Sequence, residues 1–562
     1  MTLEIYPQDN RTRPHTKVVV DTTALGANSS LAQKAVVVFG SAQGGKPGEF
    51  YKLTSFAQAK SIFVGGDILD FVELAWNPSP VSTGAGVIYA MRVDSATQAV
   101  ATQGNLTFKS YQYGAGAKNV SVKLEDGTVP GTHKLTAYDN AALSSEVYDN
   151  LGTIFTLKST DSAAVATVEI TAGKLLVKKG ATQDAATTVV NIDLSTVPSI
   201  VSLVTQLNAV GGLQAEILPY GDKNIDPKGL STLKATDIKG DGVGVSGLAA
   251  DIANQLQYSS LVTAEVQATG TEVANFTLTQ LSGATDGTVP ASWKNFFDAL
   301  RTEDIPNAYY VVPLTPNQTI QNELSAVVTD VTTSGFPLRA IVGGELGETI
   351  QYTLTRKAAL YSPRVSLLGD DYQVKMADGR ILNLPAYKAT AFVAGISSGL
   401  PTGGAITYKQ LRIIKSLRTY TSDQLDQMYN SGVIVAEKIR NVNSTYRFIG
   451  DPTTMNDVND PVSSKMSLGE STDFIVTELR TRLDDTFIGN SSSSTTANDV
   501  KVAVTSFLME KKTNNQIQDY DSSDINATLL GNTINVAFTV IPAREIEKII
   551  VTMTYNTKTQ TA

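Results

Sequence analysis

The chain has 562 residues, of which 42% are hydrophobic and 18% charged, and 45 Lys and Arg against 54 Asp and Glu give a net charge of −9. At roughly 150 residues per domain this predicts about three or four folding units, and no apolar run approaches the roughly 18 residues of a spanning helix. With no cysteine and two histidines, His15 and His133, disulfides, thiolate metal sites and a cysteine nucleophile are excluded, and scattered basic residues argue against a nucleic-acid partner.

Residues 1–22 read as an extended arm. Leu3 and Ile5 alternate with polar residues, Pro7 and Pro14 interrupt, and Val18, Val19 and Val20 form a short β-branched run. No basic region leads into an apolar core, so no secretory signal is expected. Residues 35–39 have the composition of a buried strand ending at Gly40, and 56–76 show mixed helical periodicity. From about 100 to 285, alternating Thr, Val, Ile and Leu with Gly and Asp-Gly turns predict an inserted β-rich region, with one short helix near 197–208.

Beyond 286 the pattern predicts α/β alternation. Strands are expected at 309–314 and 338–342, a helix at 317–331, and a further apolar segment at 385–400. Thr421 and Gln424 form a capping box opening a helix with Leu425, Met428 and Tyr429 inward, closed by Gly432. Val500, Ala503, Val504, Phe507 and Leu508 share one helix face. After a Gly531-Asn532 turn, Ile534, Val536, Phe538 and Val540 alternate as a strand. Past Pro542, Ile549, Val551, Met553 and Tyr555 alternate again, an apolar-faced strand that needs a sheet to join.

Three motifs imitate chemistry. Gly40 to Lys46 has phosphate-loop spacing, but Pro47 stands where a Ser or Thr hydroxyl would hold magnesium, so a surface loop is the better reading than a degenerate ATPase at Lys46. Gly395, Ser397 and Gly399 match a nucleophile elbow, yet no histidine follows His133, so small residues for close packing or a turn outweigh a hydrolase at Ser397. Glu345 with Glu348, and Asp370 with Asp371, read as solvated loop carboxylates, and ordinary hydrogen bonding is expected of both histidines. No catalytic residue, metal ligand or cofactor is assigned.

A chain without chemistry but with apolar-faced terminal strands points to self-assembly, and a resemblance makes this specific. Residues 40–70, Gly283 to Pro290 with Trp293, Val312 to Thr315, Phe336 to Gly344 with Thr349, and Gly399 to Pro401 follow in order. Gly432 to Asn441, Asp473 with Phe474, Glu478 to Arg480, Phe487 to Gly489 and Val536 to Pro542 continue the series. Together they resemble the contractile-tail sheath proteins of myoviruses over most of the chain outside 100–285. Length and the central insertion are similar to the sheaths of large Twort-type phages of Gram-positive bacteria.

The resemblance implies a multidomain α+β protein that is not an enzyme. Its parts would be an N-terminal linker arm (1–22), the N-terminal part of the core (23–98), an inserted all-β outer region (99–285), an α/β domain of subtilisin-like shape (286–430), an inner assembly domain (431–545) and a C-terminal linker arm (546–562). The arms would add strands to neighbouring subunits, with Leu3, Ile5 and Val18–Val20 in one, Ile549, Val551, Met553 and Tyr555 in the other, and Ile534, Val536, Phe538 and Val540 on the accepting sheet. Further implications are hexameric rings stacked around a tail tube, contraction from a metastable extended state, and baseplate and tail terminator proteins as partners. Neither nucleic acid nor membrane would be a partner, and the virion tail, built in the host cytoplasm, would be the location. The alternative left open by the sequence is the sheath of a phage-like secretion or toxin-injection machine, which would share most of the fold.

Overall fold

The structure, a computed structural model, describes residues 34–302, 305–439, 445–457, 459–489 and 496–541. The candidate arm residues Leu3, Ile5, Val18, Val19 and Val20, and Ile549, Val551, Met553 and Tyr555, lie outside the described residues. The described residues divide into two compact units, one of 34–42 with 47–94 and those from 289 to 541, the other of 43–46 with 95–288.

The first unit is built on a seven-stranded sheet. Its strands are β1 (Ala35–Gly40), β2 (Phe50–Leu53), β3 (Ile88–Arg92), β4 (Ala308–Pro313), β5 (Arg339–Gly343), β6 (Val365–Leu368) and β7 (Val433–Ile434), in the order β2-β3-β1-β4-β5-β6-β7. All run parallel except β2. Every residue of β1 is buried, as a strand covered on both faces requires. The period of two divides its side chains. Val36 and Val38 face one apolar cluster with helices α1 (Phe56–Phe63), α2 (Asp67–Trp76) and α6 (Ala386–Gly399). Val37 and Phe39 face another with α3 (Lys294–Thr302), α4 (Gln318–Thr333) and residues of α5 (Ile350–Leu360) and α7 (Ser422–Asn430).

Local signals account for several boundaries. Thr421 and Gln424 cap α7 reciprocally, and Gly432, at φ +91°, supplies the left-handed residue that ends it. The apolar segment at 385–400 is the buried helix α6, apolar around most of its circumference because it packs on both the sheet and α2. The longest helix among the described residues, α8 (Met466–Phe487), has no counterpart among the elements read from sequence. It is followed by α9 (Ala497–Thr513), whose Val500, Val504, Phe507 and Leu508 are buried against Leu479 and Leu483 of α8.

The alternation from Ile534 to Val540 is not one strand. Thr533–Ala537 pairs with Asn526–Leu530 as a hairpin, whereas Val540–Ile541 pairs with Asp519–Tyr520, so the chain changes partner after Ala537.

In the second unit two four-stranded and two three-stranded antiparallel sheets surround two apolar clusters, one around Phe155, Val168 and Leu203, the other around Phe108, Leu135 and Leu256. The unit is not all-β. Helices Ile200–Asn208 and Leu248–Gln255 contribute Leu203, Leu207 and Ile252 to those clusters, because the sheets alone leave an apolar face open.

Candidate assembly site

In an open parallel sheet the ligand crevice lies beyond the C-terminal strand ends where the strand order reverses, between β1 and β4 here. That crevice is filled. A Cβ on Gly40 would stand 2.8 Å from Leu314 Cδ1 and 3.3 Å from Ile68 Cγ1. The Ala42 N–H donates to Asp94 Oδ2 at 3.3 Å, so a carboxylate of the chain sits where a phosphate would, and Asp94 is itself paired with the buried Arg92. After Lys46 the chain runs to a bridge between Pro47 and Arg92 and into β2, not into a helix. The segment is a loop with Gln43 and Lys46 exposed, as expected, while Gly44 and Gly45 are buried.

Ser397 lies inside α6 and is 1% exposed, where a nucleophile elbow needs a strand-to-helix turn. A Cβ on Gly395 would collide with the backbone of Ala75, and one on Gly399 with Thr83, so the small residues serve helix packing. His133 Nδ1 hydrogen-bonds Asn275 Oδ1 at 2.7 Å.

The carboxylates at the strand exits are not all solvated. Glu345 is exposed, but Glu348 pairs with Arg356 at 2.6 Å. Asp370 and Asp371 are buried because they bind backbone N–H groups of incoming segments. Asp371 accepts from Ala386 N, at the start of α6, at 2.9 Å, and from Gly347 N at 2.8 Å, with Arg418 Nε 2.9 Å away. Asp370 Oδ2 accepts from Ala436 N at 2.7 Å, and burial pushes its carboxyl up to about 7. Among the described residues there is no group of three or more His, Asp or Glu that could hold a metal ion, and no helix is long and apolar enough to cross a membrane.

The residues expected from sequence to form an accepting sheet lie at the C-terminal end of the described chain. Ile534, Val536, Phe538 and Val540 pack, half-buried, on the cluster of Leu479, Leu483, Phe507 and Ile525. Ile534 and Val536 point inward from the hairpin while Thr533, Asn535 and Ala537 are exposed. The hairpin is two-stranded, and among the described residues neither outer edge carries a further strand. Leu529 and Leu530 are 45% and 70% exposed beside it.

Sequence reasoning missed the anchor of this region. The first turns of α8 are buried from Met466 to Asp473, with Glu470 and Asp473 held by Lys34, Arg339 and Arg364. No local signal marks these five charges, whose partners are 109 to 436 residues apart in the chain.

No family model matches the chain. It is 40% identical to a tail sheath protein of Enterococcus phage phiEF24C and 34% identical to the tail sheath protein of Staphylococcus phage Twort, each over 100% of both chains. The tail sheath protein of Bacillus phage SP01 is 29% identical over 95% of this chain and 93% of its own. Solved sheath tail proteins from Desulfitobacterium hafniense (TM-score 0.55, 15% identity, 94% of this chain and 97% of that one) and Listeria innocua (TM-score 0.56, 13%, 92% and 94%) have the same fold. Identity of 40% and 34% along the full length of the phiEF24C and Twort proteins, on a mixed α/β multidomain fold, establishes that the chain belongs to the phage tail sheath proteins.

Proposed function

We propose that the chain is the repeating subunit of a contractile sheath, polymerising as hexameric rings stacked helically around a tail tube. The observation that carries this is the C-terminal hairpin. A two-stranded sheet is marginal alone, and its edges, which carry no further strand among the described residues, together with exposed Leu529 and Leu530, suit added strands. Residues 1–22 and 546–562 are the donors in this reading, with Leu3, Ile5 and Val18–Val20, and Val551 and Met553, as the inserted apolar side chains. Residues 431–545 form the inner domain beside the tube, 99–285 face outward, and 286–430 form the domain of subtilisin-like shape.

Contraction draws on energy stored at assembly, since the phosphate-loop look-alike is occupied by the chain's own Asp94. The extended lattice relaxes to a wider, shorter one with more favourable interfaces, and a small gain per subunit is summed over many copies. The protein acts without catalysis, assembles in the host cytoplasm, and meets tube, baseplate and terminator proteins in the virion.

The test is electron microscopy of the purified protein and of forms lacking 1–20 or 548–562. The full chain is expected to form striated hollow tubes, and both truncations to stay folded as monomers. Val551→Pro, which removes a backbone donor from the inserted strand, is expected to behave as the C-terminal truncation does. Normal tubes from both truncations would sink strand donation.

A further inference from the structure

Helix α8 meets the parallel sheet where four neighbouring strands begin. Lys34 directly precedes β1, Tyr309 and Tyr310 are the second and third residues of β4, Arg339 is the first residue of β5, and Arg364 directly precedes β6. Their polar ends converge on two carboxylates one turn apart on α8. Glu470 Oε1 takes Lys34 Nζ at 2.6 Å and the Gly403 N–H at 3.0 Å, and its Oε2 takes the Tyr310 hydroxyl. Asp473 Oδ2 takes the Tyr309 hydroxyl at 2.6 Å, Arg339 Nε at 3.0 Å and Arg364 Nη1 at 2.5 Å. Gly469 leaves room for this. A Cβ there would collide with the Arg339 guanidinium. All five charged side chains are 5% exposed or less.

Buried ion pairs are poor evidence for stability, since apolar residues of similar volume do as well or better. What they supply is register. An apolar helix face can slide along a sheet edge with gradual loss, whereas shifting α8 by one turn strands two carboxylates and three cations in a dry site. The joint is therefore seated or broken. On one side it holds Lys34, the residue that follows the N-terminal segment. On the other, α8 continues to Leu479 and Leu483, which support α9 and the C-terminal hairpin. We infer that this joint transmits force between the root of the N-terminal segment and the hairpin, with Glu470 and Asp473 as its two clamps. The inference rests on the sheath reading for the source of the load, since a subunit tethered through both ends must pass tension from one to the other.

The test pulls the full-length monomer by its ends in an optical trap. Because the chain has no cysteine, single cysteines introduced at positions 2 and 561 give unique handles. In the wild type, residues 466–541 are expected to yield together with the sheet. In Glu470→Gln/Asp473→Asn they are expected to detach first and at lower force, as an added step of about 260 Å of chain at roughly 3.4 Å per residue. Val36→Ala, a core truncation in β1, serves as the control, since it lowers the melting temperature without touching the clamps. An added early step in both variants, or in neither, would overturn the inference. If the double variant does not fold, Tyr310→Phe takes its place, because it removes one hydroxyl and keeps the ring. Pulling monomers separates the two ideas. Failure to form tubes sinks the sheath reading, whereas an unchanged force trace sinks only the joint.

Discussion

Asp370 and Asp473 sit in equally dry surroundings and are driven in opposite directions. Asp473 is buried too, but the two guanidiniums of Arg364 and Arg339 outweigh desolvation and hold its carboxyl below the usual range. Asp370 accepts the Ala436 N–H and faces Arg418, Asp371, Tyr372 and Tyr420, yet desolvation dominates and its carboxyl titrates at about 7. The sign follows by linkage. Between about pH 4 and 7 the unfolded chain gives up a proton that the folded protein keeps, so Asp370 costs stability progressively across that window and by a constant amount above it. Asp370→Asn keeps an oxygen for the Ala436 N–H and cannot ionise. Its stability relative to wild type is therefore expected to rise from near zero at pH 4 to at most about 4 kcal/mol by pH 8, at roughly 1.4 kcal/mol per unit of pKa shift. Urea midpoints measured from pH 4 to 8 check this, and a gap that does not change with pH refutes it.

Elements show where a local pattern suffices and where it does not. Strand β1 was legible because five apolar residues in a row suit a doubly covered strand, α7 because Thr421 and Gln424 cap it, and α9 because its buried residues recur at helical spacing. Helix α8 was not, because its buried face carries Ser467, Glu470, Ser471, Thr472 and Asp473, a polar set that makes sense only beside cations supplied by distant strands. The alternation from Ile534 to Val540 was misleading for another reason. Periodicity reports a face, not a partner, and two different strands share that face. Gly395 in α6 puts the packing reading of its motif to the test. In an exposed helix Gly→Ala stabilises by about 1 kcal/mol, but here the added methyl meets the Ala75 backbone of α2. Overpacking of this kind costs about 1–3 kcal/mol, so Gly395→Ala is expected to lower the urea midpoint despite its better helix propensity. A raised midpoint would show that α2 and α6 can part without loss.

At the scale of the molecule, the second unit enters and leaves the first through neighbouring positions. Ser95 N donates to Thr288 O at 3.1 Å, and Thr97 N to Thr285 O at 2.9 Å, so the two ends of the 95–288 segment are paired with each other. A segment whose ends meet can be removed without stretching the chain it leaves, and the closure cost of a short replacement loop is small. The other connection, residues 43–46, counts with the second unit through Gly45 N to Gln112 Oε1 at 3.2 Å and Gly116 N to Gln43 O at 2.7 Å, and loses those bonds on excision. The apolar clusters of the first unit contain no residue from 95–288, so its core stays complete. Replacing 96–287 by a short Gly-Ser turn is therefore expected to leave a folded protein whose near-ultraviolet dichroism retains the signal of Trp76 and Trp293. If 95–288 face outward in the sheath, the excised chain also forms tubes, thinner in projection than those of the full chain. A folded but non-polymerising product would instead place the second unit within the subunit contacts, because the terminal segments and the hairpin are untouched by the excision.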